Sequence, residues 1–419
     1  MNIKRIQVVS AFLIFASVAG YSQNSTSSPY SGFGIGELEM ASGGRNTGMG
    51  YTGIALKSNL FMNTTNPASL TAIEPQSFIF DMGLHYTYTQ LESSSKSVDV
   101  NNGNLSWLQM GFPISKKFFG GISLNPKSSV GYKIYTQKSI QGTTTRFPAV
   151  YEGTGGLSEA AGLLAFKLNK YASFGLKGGY IWGNVTETQE QTVTISSTGY
   201  VIDQTDNTHY SGAYFDFGTQ VSIPVSAKST IIWGAVVGLN SQLNSNRSTT
   251  ITKSYGATTD VITSDSKSYG SMKLPLDLGT GVSFLYGPKW VGTFDFRRSD
   301  WTDASLNISS RKLSTNNSFR GGIEFAPKAD PRLLKQTARY RLGYRYESGY
   351  IKMYNREIHE QGITFGIGVP IRKEKSFANF TVDLGTRGTT EVNLVKEKYI
   401  KLTASFNLWD RWFVKRQYD

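Results

Sequence analysis

The chain has 419 residues, of which 39% are hydrophobic, 13% aromatic and 17% charged, with 44 Gly, no Cys and a formal net charge of +13. The absence of cysteine excludes a disulfide scaffold, a thiolate metal site, a Cys nucleophile and a lipoprotein anchor. Many aromatics and glycines beside few charges, with no second apolar run approaching the ~20 residues of a membrane helix, exclude a helical membrane protein.

The first element is a targeting segment. Lys4 and Arg5 open it, Val8 to Gly20 form a short apolar core, and Gly20 and Ser22 suit a cleavage before Gln23. Residues 1–22 are therefore expected to be a signal peptide. Its removal takes away Lys4 and Arg5 and lowers the formal charge from +13 to +11. Export argues against nucleic acid as the partner of that charge, and points instead to anionic head groups of outer-membrane lipids.

Residues 23–75 form a distinct, turn-rich stretch. It holds Ser28-Pro29-Tyr30-Ser31-Gly32-Phe33-Gly34-Ile35-Gly36, then Gly43-Gly44-Arg45, then Gly48-Met49-Gly50, and finally Asn66-Pro67-Ala68. The Gly34/Gly36 spacing follows no strand and opens no helix, so it does not read as a nucleotide site.

From residue 76 to 419 period-2 alternation takes over. Ile400, Leu402, Ala404, Phe406 and Leu408 share one face, with Lys401, Thr403, Ser405 and Asn407 on the other. Such runs predict fourteen strands, near 76–91, 103–114, 117–137, 156–168, 171–193, 208–225, 229–251, 269–286, 289–303, 318–327, 338–348, 361–371, 376–386 and 398–410. Six connectors are tight or basic, as at Ser115-Lys116-Lys117. The seven that interleave with them read as long polar loops, such as Glu92–Asn102, Ser139–Gly155, 252–268 and Tyr350–Glu360. Short turns at one end and long loops at the other are the pattern of an antiparallel transmembrane β-barrel. Trp107, Trp182, Trp290, Trp301, Trp409, Trp412 and Phe413 at strand ends would form its interfacial girdles. Seven loops and six turns put both termini on the short-turn side, the periplasm of a Gram-negative-type outer membrane.

Once the apolar face meets lipid, its partner face lines the lumen. Asp277, Asp295, Arg297, Arg320, Glu324, Arg339, Arg341, Arg345, Asp383 and Lys401 then point inward, either along a permeation path or as a network that braces the barrel or anchors a plug. No catalytic, cofactor or metal site is expected. The three histidines, His85, His209 and His359, have no spacing that suits a relay or a metal pair.

In the Arg45–Leu56 glycine-rich stretch, the Asn66-Pro67-Ala68 box and the fourteen strands behind them, the chain resembles the FadL-type family of outer-membrane barrels. These are long-chain fatty acid transporters and related hydrophobic-compound channels. The resemblance implies an N-terminal plug, or hatch, inside the barrel, carrying Gly48, Gly50, Asn66, Pro67 and Ala68. It also implies passive transport of a small hydrophobic compound across the outer membrane. The loops depart from that picture, being Ser, Thr, Asn and Gly with no apolar capture cluster. The alternative is a non-transporting barrel subunit or scaffold of an outer-membrane protein secretion or assembly complex.

Overall fold

The computed structural model describes residues 26–40, 42–139, 146–195, 198–304, 312–327, 337–372 and 375–411. The expected signal peptide and the girdle residues Trp412 and Phe413 lie outside the described residues. Residues 77–411 run through fourteen antiparallel strands. These are β1 (Ser77–Glu92), β2 (Ser97–Pro113), β3 (Phe118–Ser139), β4 (Arg146–Lys167), β5 (Ala172–Ile195), β6 (Thr198–Pro224), β7 (Ser229–Gly238, then Ser241–Tyr255) and β8 (Thr258–Leu274, then Asp277–Tyr286). After them come β9 (Trp290–Asp300), β10 (Thr315–Phe325), β11 (Arg339–Glu347), β12 (Glu360–Arg372), β13 (Ser376–Arg387) and β14 (Lys396–Arg411). Each strand pairs with the next, and β14 pairs back onto β1 from Ser77↔Arg411 to Glu92↔Lys396, which closes the cylinder.

The pleat sorts the side chains as the alternation predicts. Outward positions carry Phe174, Phe217, Trp233, Phe284, Phe294, Ile323, Leu342, Phe365 and Ile400, each between 42% and 50% exposed. Inward positions carry Asp81, Glu159, Asp295, Glu324, Arg345 and Asp383, all buried. An exterior apolar on every side around a polar interior is a membrane barrel turned inside out relative to a soluble protein.

The wall is uneven in height. β9, β10 and β11 have 11, 11 and 9 residues, the length that a tilted bilayer-spanning strand needs. By contrast, β5 and β6 have 24 and 27 residues, so at about 3.3 Å per residue they run far past the hydrocarbon. This corrects the loop reading. Most of 92–102, 146–155 and 252–268 is strand, and 350–360 contains the short strands Ile351–Met353 and Arg356–Glu357. In the outermost runs, such as 255–262, both faces of a strand are exposed, so the sequence there loses the alternation that marks the spanning part.

The ladder is also broken in one place. β2 pairs with β3 only from Leu108↔Leu124 to Pro113↔Phe119. Above that level β2 stays with β1 and β3 stays with β4. The two-residue strand Glu37–Leu38 enters the gap, pairing with Ser129 and Ser128 of β3.

Three of the expected girdle tryptophans instead face inward. The Trp107 indole donates to Asp81 Oδ1 at 2.5 Å, Trp301 packs on Tyr350, and Trp409 lies under the Lys375 ammonium at 4.0 Å. The Trp107 and Trp301 indoles donate inside the protein, Trp301 to Ser299 Oγ at 3.2 Å, and Trp409 offers its ring face to Lys375. Trp182 and Trp290 face outward.

Phe365, 50% exposed on β12, has Leu342 and Val382 as register partners. We expect Phe365→Arg to destabilise the barrel by about 2–4 kcal/mol and Phe365→Leu to cost much less, measured by urea unfolding in lipid vesicles.

Candidate functional site

The lumen is filled in strata. Nearest the short turns, Met62, Leu70 and Ile73 of the N-terminal segment pack with Ile79, Phe119, Leu163 and Trp409 of the wall. Nearest the long-strand end, Tyr30 and Ile35 pack with Leu157, Ile181, Leu243 and Met272 of the tall wall and with Trp301, Tyr350, Ile358 and Leu394 from connectors. Between these two apolar layers lies an ionic one.

The ionic layer has two centres. Glu324 of β10 accepts Arg45 Nε at 3.1 Å and Arg45 Nη2 at 2.9 Å, and it also accepts Arg341 Nε at 2.8 Å and Arg339 Nη1 at 3.2 Å. All three guanidiniums also face the Phe61 ring, at 5.1 to 5.7 Å. In the second centre, Arg345 binds Asp383 at 3.0 Å and Glu360 at 2.7 Å and donates to the Tyr399 oxygen, while the Tyr399 hydroxyl donates to Glu360 at 2.6 Å. Arg387 continues it to Glu37 at 2.5 Å, Glu360 at 2.6 Å and Glu397 at 3.3 Å. Arg297 pairs with Asp277 at 2.7 Å and Arg320 with Glu347 at 2.6 Å. Lys401 reaches Glu39 at 3.6 Å.

The remaining contacts join the N-terminal segment to the wall through backbone. Asp295 Oδ2 accepts the Gly53 and Ile54 amides at 2.6 and 2.9 Å. Thr364 Oγ1 accepts the Gly50 amide at 3.0 Å. Tyr51 donates to Asp383 Oδ2 at 3.2 Å. Burial, then the Asp383 charge, push its phenol well above its usual pKa, which keeps that proton in place.

Two local sequences make this approach possible. Gly50 sits at φ +67°, a left-handed conformation. The Met49–Gly50 turn rests on Gly322 and Gly343, which face each other in the β10–β11 register, and a side chain at either would overlap it. In the Asn-Pro-Ala box, Pro67 starts a 3-10 turn (Pro67–Ala72) capped by Asn66, whose Oδ1 accepts the Ala68 amide at 3.1 Å. Asn66 Nδ2 donates to Ile54 O at 2.8 Å and to Thr219 O of β6 at 3.0 Å, tying the turn to the wall.

Each of the ten charges that the alternation turns inward, Asp277, Asp295, Arg297, Arg320, Glu324, Arg339, Arg341, Arg345, Asp383 and Lys401, takes part in one of these contacts. Sequence reasoning missed their partners Arg45, Glu37, Glu360, Arg387 and Glu397. The last three lie one residue outside the predicted strands 361–371, 376–386 and 398–410. Extending the alternation by one residue would have turned them inward. The histidines have separate partners: Ser106 for His85, Asn184 for His209 and Tyr346 for His359.

The family model described as BamG matches residues 2–419. The chain belongs to the BamG family. No curated protein matches its sequence. Among solved structures, the Ralstonia pickettii toluene transporter TbuX aligns at TM-score 0.58 and 13% identity, covering 90% of this BamG chain and 99% of its own. The Pseudomonas putida toluene transporter TodX aligns at TM-score 0.56 and 14% identity, over 90% and 100%. A Pseudomonas aeruginosa FadL homologue aligns at TM-score 0.58 and 10% identity, over 91% and 100%. The BamG chain thus has the FadL-type barrel fold.

Replacing Glu324 by Gln leaves three guanidiniums around one neutral amide. We expect a loss of about 3–5 kcal/mol, the scale of an uncompensated buried charge, in urea unfolding, and a smaller loss when Arg45→Met is added. Gly343→Val should push Met49–Gly50 off the wall, read as protease cleavage within residues 26–73 of a barrel that remains folded by heat-modifiable gel migration.

Proposed function

We propose that this BamG chain is a closed outer-membrane barrel that serves as a non-transporting subunit of an outer-membrane protein assembly complex, with residues 23–75 as its plug. On this reading, residues 1–22 are a cleaved signal peptide, both termini are periplasmic, and the protein is a scaffold rather than an enzyme. One observation carries it: the ionic layer is neutralised jointly by wall and N-terminal segment, with apolar packing above and below. Opening such a lumen means separating Arg45 from Glu324 and Glu37 from Arg387. The family name hints at the same role, and the tall, polar sheet beyond the bilayer offers a large surface to other proteins.

Passive transport of a small hydrophobic compound is the other reading, and the FadL-type fold favours it. The lumenal cavity weighs against it. A space of about 210 Å³ is lined by Lys127, Glu159, Lys177, Asp216, Asp277 and Arg297 together with Leu38, Met40, Leu239, Leu274 and Trp301. Three acids and three bases among these residues put charge beside any occupant, whereas a greasy ligand gains most from predominantly apolar walls.

Purification from native membranes in mild detergent separates the two. The subunit reading expects a complex of fixed stoichiometry and no conductance steps when the isolated barrel is placed in planar bilayers. A monomer carrying a hydrophobic molecule in its lumen would establish the transporter.

A further inference from the structure

Four consecutive short turns carry lysine and no carboxylate. They join β2 to β3, β4 to β5, β6 to β7 and β8 to β9, and Lys116, Lys117, Lys167, Lys170, Lys228 and Lys289 stand in them or at their edges. The stretches around these turns, 109–124, 160–176, 217–235 and 278–294, contain no Asp or Glu. Among the described residues the six lysines have no ion pair. The N-terminal segment adds a further cation beside them, Lys57, whose Nζ donates to Ser173 Oγ at 3.3 Å. The rest of the rim is mixed in sign, with Glu74 bound to Lys375 at 2.7 Å and Asp410 beside Arg411.

The turns form one rigid arc. Ser115 Oγ accepts the Lys117 and Phe118 amides, Asn169 Oδ1 the Tyr171 and Ala172 amides, and Ser226 Oγ the Lys228 and Ser229 amides, all at 2.8 to 3.3 Å. Backbone then ties each turn to the next. Lys167 N donates to Lys117 O at 2.8 Å, Ser222 N to Tyr171 O at 2.7 Å and Gly287 N to Lys228 O at 2.6 Å. Neighbouring turns stand two strand spacings apart, about 10 Å. Their lysines are thus rooted within about one Debye length of each other, and their potentials add.

The surface beside the lysines selects what neutralises them. One to three residues from each stand Ile114, Phe118, Leu168, Tyr171, Val225 and Trp290, between 42% and 59% exposed. Further up the wall Phe174, Phe217, Phe284 and Phe294 continue the outward apolar face, so the lysines mark the level where hydrocarbon ends. An acidic soluble protein or a free anion would meet the ammonium groups and leave the apolar side chains bare. A molecule with an anionic head and an apolar tail meets both.

We propose that this arc of the short-turn rim, from β2 to β9, binds the phosphate head groups of anionic glycerophospholipids in the adjoining leaflet. The remaining rim, with carboxylates among its cations, gathers none, so the barrel holds its anionic lipid on one side. The inference goes beyond the subunit reading and rests only on the placement of the short turns in the periplasm.

The full chain, purified in mild detergent, is titrated with phosphatidylglycerol or phosphatidylcholine, and bound lipid is counted by native mass spectrometry. The arc predicts at least tenfold tighter binding of phosphatidylglycerol. That preference is lost when all six rim lysines become Gln. It is kept when six lysines of the tall strands, Lys96, Lys133, Lys138, Lys253, Lys267 and Lys273, become Gln instead, an equal change in net charge. Heat-modifiable gel migration checks folding. If the six-site rim variant fails to fold, Lys116→Gln/Lys117→Gln/Lys170→Gln should weaken the preference at least threefold. Neither glycerol phosphate nor polyglutamate should displace the lipid. The proposal is overturned by equal binding of the two lipids, or by equal loss in the rim and tall-strand variants. Displacement by glycerol phosphate, which marks a free-phosphate site, or by polyglutamate, which marks an acidic-protein site, also overturns it. The chain has no cysteine, so Ala227→Cys supplies a single thiol. Its labelling by a membrane-impermeant maleimide in intact cells would overturn the periplasmic placement itself. None of these outcomes bears on whether a complex co-purifies, which tests the subunit reading separately.

Discussion

Hydrocarbon offers no hydrogen-bond partners, and the rest of this structure follows from that. A sheet that crosses a bilayer must close on itself, so β14 returns to β1 and no backbone edge meets lipid within the spanning zone. The pleat then leaves two choices for each side chain. Apolar residues go out and ionic ones go in, and a misplaced Arg at the midplane costs about 2–4 kcal/mol. Burial of charge inside the cylinder creates the next requirement, because an unpaired buried ion is costlier still. Wall residues satisfy part of it, as Arg345 does for Asp383. The N-terminal segment supplies the rest: Arg45 for Glu324, Glu37 for Arg387, and two amides for Asp295. Barrel and segment are therefore one electrostatic unit.

Outside the bilayer the same constraint lapses, and the wall changes character where it does. Strands β3 to β8 continue as a polar sheet. Its inner face is covered by connectors and by Tyr30 and Ile35, in the manner of a soluble core. The ladder between β2 and β3 can stop because the edges it leaves are covered by Glu37–Leu38 or stand in water, where backbone groups are solvated. A gap of this kind at the midplane would expose unpaired amides to acyl chains.

This division explains what the sequence revealed. All fourteen strands were legible, because lipid on one side and lumen on the other force a period of two that few substitutions can blur. The same parity brings charges such as Glu324, Arg341, Arg345 and Asp383 together. The polar upper halves of β2, β4, β6 and β8 were not legible, since runs such as 255–262 are exposed on both faces and alternate nothing. The pairing of the lumen was also hidden. Arg45 stands in a glycine-rich stretch without periodicity, and its partner Glu324 lies 279 residues away, a contact no local pattern encodes. Trp107 and Trp409 misled for a related reason: position at a strand end suits a girdle, but parity turns both rings inward, and parity is the better guide.

The pairing also bears on whether the lumen opens. A hatch that moves must leave its wall in an acceptable state. Were residues 26–73 to withdraw here, Glu324 would keep Arg339 and Arg341, but Asp295 would lose both of its amide donors. Arg387 would lose Glu37, and Gly322 and Gly343 would leave a trough where the Met49–Gly50 turn had rested. Each vacated carboxylate or guanidinium would need water in its place. A path that must hydrate in order to open suits ions better than greasy solutes, and an apolar passenger would have to cross the most polar stratum of the molecule. The same contacts, left undisturbed, make the cylinder stiff. A stiff cylinder sealed by apolar layers at both ends, with one tall sheet standing clear of the membrane, is well suited to holding other proteins in place.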